Sequence, residues 1–384
     1  MSLINRLSIA ALALPGIVAE DAHAGRVDET FNTDFQYAHY EESNNRMGVD
    51  VFNLTAVAPI GENFTASLDL VRDTMSGASP VMNVRDDQGQ VQQFLSSASI
   101  TDERDALTAS LGYAFDEVDI SLGGGVSNEN DYFSGHVNAG VSWALNKKLT
   151  TLNLTGSVAF DEITATGRPE INGRKTSQKY LLGLTQIINK DSLIQSNMTF
   201  AYHGGFLSDP YKRVYIEDTG NQVNDARPGN KFQWAWLTRY VHHFKAANKA
   251  ALHADYRLYV DDWGVDAHTV ELSWYQPIAD GWQIVPRFRY YTQDKADFYQ
   301  ATFNSSNLGA VHSSDYRLAG FGSLGAGIKL TKSFLMSGFV KEVKLQTAFD
   351  YNDRKASYQI GGDSSGSFDD FSFYMVTASI NAKF

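Results

Sequence analysis

The chain has 384 residues, a formal net charge of −12 and no cysteine. The lack of cysteine excludes disulfide frameworks and thiolate chemistry, and the negative charge argues against a nucleic-acid-binding protein, which needs a basic face. The mean hydropathy of −0.29 excludes a helical membrane protein. It is compatible with a membrane β-barrel, because half of every barrel strand is polar.

The N-terminal segment, residues 1–24, has the features of a secretory signal peptide. Arg6 precedes the mostly apolar run LSIAALALPGIVA, and AHA at 22–24 matches a small-x-small cleavage site. The run is too short for a membrane-spanning helix and is interrupted by a Pro-Gly pair. We therefore expect an exported protein that is cleaved after Ala24, with residues 25–384 forming a single domain.

The rest of the sequence repeats a unit of two strands joined by a short turn and followed by a longer connection. Within the strands apolar and polar residues alternate, as in LHADYRLYV at 252–260. One face of each strand is then apolar and the other polar. This predicts an all-β fold, a transmembrane antiparallel barrel of about 16 strands, in the range of about 14–18, with periplasmic termini and long extracellular loops. A soluble sandwich or propeller is the alternative, but it would need polar outer faces.

The connection at 204–230 is long for a hairpin and contains the motif FLSDPYKRVY. Loops of this length are usually functional or disordered, and Pro210 would fix a turn in it. We expect this loop to fold into the barrel mouth and constrict it, contacting Asp255, Arg257 or Glu271. The alternative is an ordered external loop packed on its neighbours. The motif residues are Ser208, Asp209, Pro210, Tyr211 and Lys212.

Charged residues recur at the polar positions after this loop and would face the lumen. Hairpin centres near 247, 264 and 280 place Arg239 opposite Asp255, and Glu271 opposite both Arg257 and Arg289. Opposed charges of this kind contribute roughly 0.2–1 kcal/mol each. Two interpretations remain open: a stiffened polar wall, or a positive strip that selects anions. The predicted lumen charge wall consists of Arg239, Asp255, Arg257, Glu271, Arg287, Arg289 and Arg317.

The connections on the long-loop side concentrate carboxylates. The acidic stretches are RDDQGQ, TDERD, NEND, YVDDWGVD and GGDSSGSFDD. The simplest interpretation is a solvated rim that faces lipopolysaccharide. Hard cations such as calcium or magnesium also prefer clustered oxygens, but no stretch matches the twelve-residue calcium loop. We therefore predict no metal site and no cofactor.

The segment GFGSLG at 320–325 fits the GxGxxG pattern of dinucleotide-binding proteins. It lies within a predicted strand and opens no helix. Its glycines are better explained by a bend or by the close approach of another part of the chain.

The chain ends on the alternating stretch FYMVTASINAKF. The terminal Phe384 resembles the C-terminal signal by which bacterial outer-membrane barrels are recognised for assembly. We expect a bacterial outer-membrane protein whose partners are outer-membrane lipid, lipopolysaccharide and the barrel-assembly machinery. A periplasmic partner remains an open alternative, and no nucleic-acid partner is expected.

Five segments carry a family resemblance: SGASPV (76–81), GGFLSDPYKRVY (204–215), ARPGN (226–230), LHADYRLYVDDWGVDAHTVELSWYQPI (252–278) and WQIVPRFRYYTQDKADFY (282–299). They cover about the middle half of the chain and resemble a bacterial family called domain of unknown function 3570. The resemblance implies an outer-membrane barrel without an established activity, so it supports the location and adds no substrate.

The leading function that these patterns predict is porin-like passage of small solutes or ions through the lumen, gated by the loop at 204–230. A plugged barrel that serves as scaffold or receptor for a periplasmic or surface partner is the first alternative, and an outer-membrane hydrolase is the second. No Ser–His–Asp order or carboxylate pair marks a catalytic site, so no enzyme activity is predicted.

Overall fold

A computed structural model describes residues 30–77, 80–95, 100–361 and 370–384. The expected signal peptide at 1–24 lies outside the described residues, as does most of the acidic stretch GGDSSGSFDD. No helix in this part of the chain is long and apolar enough to cross a membrane.

Sixteen strands form one closed antiparallel barrel, which confirms the predicted fold. In chain order the strands are β1 (Asn32–Glu42), β2 (Met47–Ile60), β3 (Phe64–Gly77), β4 (Pro80–Arg85), β5 (Val91–Leu95), β6 (Ile100–Ala114), β7 (Val118–Asn128), β8 (Tyr132–Leu145), β9 (Thr150–Ile163), β10 (Gly173–Asn189), β11 (Ser192–Gly205), β12 (Arg213–Ile216), β13 (Asn221–Asn224), β14 (Asn230–Phe244), β15 (Ala250–Asp261), β16 (Asp266–Ala279), β17 (Trp282–Gln293), β18 (Phe321–Leu335), β19 (Glu342–Lys355) and β20 (Phe371–Lys383). The pairs β4–β5 and β12–β13 are separate hairpins within two long connections.

The barrel closes by antiparallel pairing of β1 with β20, from Asn32 opposite Lys383 to Glu42 opposite Phe373. Closure removes the sheet edges, so the backbone groups of every barrel strand are paired along both sides. Inside a bilayer a closed sheet satisfies the hydrogen bonding of all its backbone groups, whereas an open sheet leaves those of its edge strands unpaired.

The outer face of the barrel is apolar and exposed. On β2 and β3, for example, Phe52, Leu54, Leu68 and Leu70 point outward and are each about two-fifths exposed. Their neighbours along the strands, such as Asn53 and Asp69, point inward and are joined by a hydrogen bond of 3.1 Å. An apolar belt of this kind is stable against lipid rather than water, as in membrane barrels.

Aromatic rings gather at the end of the barrel with the short turns. Tyr113 contacts both Phe64 and Phe115 edge to face, with ring centroids 4.7 Å apart in each pair. At the same end the amide of Phe384 donates to the carbonyl of Phe31 over 2.9 Å, and their ring centroids are 5.4 Å apart. The aromatic positions suit an interfacial girdle, while the role of Phe384 in assembly stays a prediction.

Candidate functional site: the lumen wall and the cap at the barrel mouth

The inward faces of β14 to β17 carry a ladder of ion pairs. Arg239 lies opposite Asp255, as predicted, and donates to both carboxylate oxygens over 2.8–3.1 Å. Glu271 lies opposite Arg289, also as predicted, with a closest nitrogen–oxygen distance of 3.9 Å. Both pairs are partly exposed to the lumen, so water weakens each of them.

The predicted pairing of Arg257 with Glu271 is wrong. Arg257 lies opposite Thr269, while Glu271 lies opposite Asp255. The β15–β16 hairpin is centred one residue earlier than expected, and a shift of one residue in the centre moves each partner by two positions. The side chain of Arg257 still faces the lumen, but it has no carboxylate opposite it.

Arg287 reaches across β18 to Asp350 on β19, with which it forms an ion pair. The residue between them in the sheet is Gly327, which lies opposite both. A Cβ atom at Gly327 would collide with the carboxylate of Asp350, so only glycine leaves room for this pair. Gly325, the last glycine of the GFGSLG segment, is similarly crowded by Asn352. The close-approach interpretation of these glycines is thus confirmed at Gly325.

The assignment of Arg317 to the lumen wall is wrong. Arg317 lies in a 3₁₀ turn, Tyr316–Leu318, within the β17–β18 connection rather than in a strand. It forms ion pairs with Asp315, through its Nε at 2.9 Å, and with Asp209 at 2.7 Å. The prediction extends the alternation of a strand into a loop, and in a loop the direction of side chains does not follow a period of two.

Two long connections at the same end of the barrel pack against each other, and we call them together the cap: residues 206–229 and 294–320. Ile216 pairs with Phe303, and Ala226 exchanges backbone hydrogen bonds with His312 over 2.7 and 3.0 Å. Val214 and Phe303 in the cap are almost fully buried. The cap is therefore a packed unit, and not a set of independent loops.

The cap is attached to the inner wall of the barrel through Tyr316. Arg354 on β19 donates to the Tyr316 carbonyl over 2.8 Å, and its guanidinium lies 5.2 Å from the Tyr316 ring centroid. Arg46, between β1 and β2, packs against the same ring at 5.3 Å. Gln293 at the end of β17 donates to the carbonyls of Arg317 and Ala319. These contacts hold the cap against the ends of β17, β19 and β1.

The predicted loop motif forms the other attachment of the cap. The hydroxyl of Tyr211 donates to Asp131 in the β7–β8 turn and accepts from the Thr166 amide over 2.9 Å. The carbonyl of Pro210 accepts a hydrogen bond from Arg168. The cap is thus attached to two parts of the barrel end, one near β7–β10 and the other near β17, β19 and β1.

Inside the cap the motif residues build a turn. The carboxylate of Asp209 accepts from the amide of Tyr211 over 3.0 Å, which fixes the turn at Pro210. The hydroxyl of Ser208 accepts from the amide of Arg227 over 3.0 Å. The predicted contacts of this loop with Asp255, Arg257 or Glu271 stay a prediction.

A buried ion cluster joins the two halves of the cap. Arg227 contacts Asp225 at 2.7 Å and Asp315 at 2.8 Å, and Arg317 links Asp315 to Asp209. The side chains of Arg227 and Asp315 are at most 1% exposed. Charges removed from water in this way are stable only while every partner is present.

The cluster shifts the pKa values of its members. Burial acts to raise the pKa of Asp315, but Arg317, Lys212 and Arg227 outweigh it and hold that pKa well below its usual range. For Lys212 burial dominates and lowers the pKa to about 8, against the opposing effect of Asp315. At neutral pH Asp315 is therefore ionised, while the lowered pKa brings Lys212 closer to losing its proton than an exposed lysine is.

A family model described as "Protein of unknown function (DUF3570)" matches residues 4–172 and 168–375. The chain belongs to this family. The resemblance predicted from the sequence is confirmed, and it extends well beyond the middle half of the chain. No protein of curated function matches it.

Three solved structures that resemble this DUF3570 chain in fold are distant from it in sequence. A bacterial polysaccharide outer membrane secretin has a TM-score of 0.48 at 7% identity, covering 93% of this chain and 99% of its own. OccD3 (OpdP) of Pseudomonas aeruginosa has a TM-score of 0.45 at 9% identity, and the match covers 94% of this chain and 93% of OccD3. CdiB from Acinetobacter baumannii has a TM-score of 0.50 at 12% identity, and the match covers 93% of this chain and 60% of CdiB. The chain therefore spans less than two thirds of the length of CdiB. The likeness to CdiB concerns the fold alone.

Several charged residues of this DUF3570 protein are not predicted from its sequence. Lys179, Lys329 and Asp350 occupy inward positions on β10, β18 and β19, and alternation alone could have identified them. No local pattern marks Asp225, Arg227 or Asp315, because their partners lie on distant segments. Arg227 is nevertheless part of ARPGN, one of the segments that suggested the family.

Proposed function

We propose that this protein is an outer-membrane channel for small anionic solutes, with its termini and short turns in the periplasm and the cap at the outer mouth. One observation carries the proposal. Lys179 and Arg257 face the lumen, are exposed to water, and form no ion pair with any described residue. Arg257 is close enough to Lys179 and Arg289 for its charge to act on both.

Unpaired cations in a narrow, low-dielectric lumen attract anions from a distance and lower the barrier to their passage. The paired residues Arg239 and Asp255 largely cancel each other and contribute little to this field. Cations also outnumber carboxylates on this wall as a whole, since Lys329 and Lys179 add to the arginines. The wall therefore favours anions over cations, which is the second of the two interpretations that the sequence left open.

The cap supports a second candidate function. Its buried core and its two attachments suit a mouth that is closed at rest, as in a barrel that acts as scaffold or receptor and opens only when a partner displaces the cap. The two candidates differ in whether the isolated protein conducts.

Conductance of the purified, refolded protein in a planar bilayer tests the proposal. We expect steady openings with anion preference in a salt gradient. The double variant Lys179→Gln, Arg257→Gln should reduce that preference. In water a unit charge interacts with an ion about 4 Å away by about 1 kcal/mol, which changes the equilibrium between anion and cation in the lumen by a factor of about five.

Arg174→Gln is the control for loss of positive charge. It removes one positive charge where the double variant removes two, from a side chain that points outward at the rim and is 84% exposed. It should leave the reversal potential unchanged. A pore without anion preference, or a double variant that behaves like Arg174→Gln, would overturn the anion channel. Absence of conductance in a folded barrel would favour the scaffold or receptor role.

A further inference from the structure

Three carboxylates from two separate segments converge at the long-loop end of the barrel. Asp102 lies near the start of β6, and Glu129 and Asp131 lie in the β7–β8 turn. One oxygen from each lies within 4.8 Å of the others. They belong to the stretches TDERD and NEND, which meet because Asp105 on β6 pairs with Asn128 on β7.

Asp102 and Asp131 bring like charges together in this cluster. Glu129 and Asp131 are 6% and 8% exposed. No lysine, arginine or histidine of the described residues forms an ion pair with Asp102 or Asp131, and the charge of Asp131 repels that of Asp102. The nearest arginine along β6, Arg104, is paired with Asp73 at 2.7 Å. Grouped, buried carboxylates are costly unless a cation compensates them.

Asp131 provides an independent indication of a ligand. Its Oδ2 accepts from Tyr211, but its Oδ1 is buried and has no hydrogen-bond donor among the described residues. The residue is fixed in place, because its carbonyl accepts from both the amide and the hydroxyl of Thr164, over 2.8 and 3.2 Å. A buried and immobile carboxylate oxygen without a donor is suited to a bound cation.

We propose that Asp102, Glu129 and Asp131 bind a divalent cation, with calcium favoured over magnesium. Calcium lies about 2.4 Å from its oxygen ligands, so two ligands on opposite sides of one ion are about 4.8 Å apart. Magnesium demands near-ideal octahedral geometry, whereas calcium accepts irregular arrangements of carboxylate oxygens. Water completes the coordination.

The site couples to the cap through Tyr211. The ion restrains the carboxylate of Asp131, and the same carboxylate anchors the Tyr211 hydroxyl. Calcium therefore stabilises the attachment of residues 206–229 on this side of the mouth. The site does not depend on whether the lumen conducts.

Terbium luminescence of the purified, refolded protein in detergent tests the site, with terbium as a calcium substitute excited through tyrosine. We expect saturable binding of one ion per chain, displaced by calcium at lower concentration than by magnesium. Asp131→Asn and Glu129→Gln should each weaken terbium and calcium binding by about tenfold or more, as loss of one charged ligand does in calcium sites.

Glu103→Gln is the matched control. Glu103 adjoins Asp102 but points outward, is exposed and pairs with Arg72 at 2.8 Å. Heat-modifiable migration verifies that each variant is folded, and Asp102→Asn replaces any variant that is not. Unsaturable terbium binding by the wild type would overturn the site. So would ligand variants that bind terbium as tightly as Glu103→Gln does.

Discussion

The lumen wall and the cap use the same chemistry in different surroundings. In the wall the Arg239 and Asp255 side chains are 34% and 16% exposed, whereas in the cap those of Arg227 and Asp315 are 1% and 0% exposed. Lumen water screens the first pair, so either partner can be lost at little cost. The second pair is desolvated, so loss of one partner leaves a buried charge. Wall charges are available to act on solutes, and cap charges act mainly on each other.

The two regions also differ in how their pairs are specified. Arg239 and Asp255 are 16 residues apart and meet through the register of one hairpin. Arg317 and Asp209 are 108 residues apart, and Arg227 and Asp315 are 88 apart. The wall is therefore complete when adjacent strands pair, while the cap needs two distant connections to find each other.

The largest effect is expected for Asp315→Asn. The substitution leaves Arg227 and Arg317 without their shared carboxylate and should destabilise the closed cap by about 3–5 kcal/mol. Protease cleavage within 206–229 and 294–320 should accelerate about a hundredfold or more, while the barrel stays heat-modifiable. Asp218→Asn is the control, because Asp218 lies in the same cap but is exposed and accepts from Ser305. Equal protease resistance of the two variants would contradict the contrast between cap and wall.

A smaller effect is expected for Tyr211→Phe. Loss of the hydroxyl removes the hydrogen bonds to Asp131 and from the Thr166 amide, and bonds to a charged group contribute about 1.5–3 kcal/mol. Hydrogen exchange at 206–229 should increase, while exchange in the barrel strands stays the same. Tyr215→Phe makes the same chemical change within β12 and should have no such effect. If both variants exchange like the wild type, this attachment does not stabilise the cap.

The cap should also respond to pH through Lys212, whose pKa burial lowers to about 8. When the cap opens, the lysine regains an ordinary pKa of about 10.4. Between these two values the open form binds more protons, so the closed cap becomes more stable as pH rises through this window. The cleavage rate of the wild type relative to Lys212→Met should therefore fall from about pH 7.5 to about pH 10. A ratio independent of pH would show that Lys212 keeps its proton in the closed cap.

The smallest effect on stability is expected for Asp255→Asn in the wall. Breaking this partly exposed ion pair should lower the free energy of unfolding by less than about 1 kcal/mol. The freed charge of Arg239 should instead shift the reversal potential towards stronger anion preference. Urea unfolding and bilayer recordings on the same preparation separate the two effects. A loss of stability as large as that of Asp315→Asn would remove the distinction between wall and cap.

The contrast between wall and cap also separates the charged residues that the sequence predicts correctly from those that it does not. Arg239 with Asp255 and Glu271 with Arg289 were predicted correctly, because alternation and turn residues fix hairpin register within one or two positions. Arg257 was assigned the wrong partner because a hairpin centre was misplaced by one residue. Arg317 was assigned to the wrong region because it lies in a connection, where no period governs side-chain direction.

The sequence by itself determined the barrel: the strand number, the antiparallel order, the apolar outer belt and several of the charged residues that face the lumen. Each of these follows from alternation and turn chemistry, which are local properties of the chain. Only the tertiary structure decided the cap, the contact of Tyr211 with Asp131 and the meeting of Asp102 with Glu129 and Asp131. These contacts join segments that the barrel brings to one end, and no local periodicity encodes which loop residues meet there.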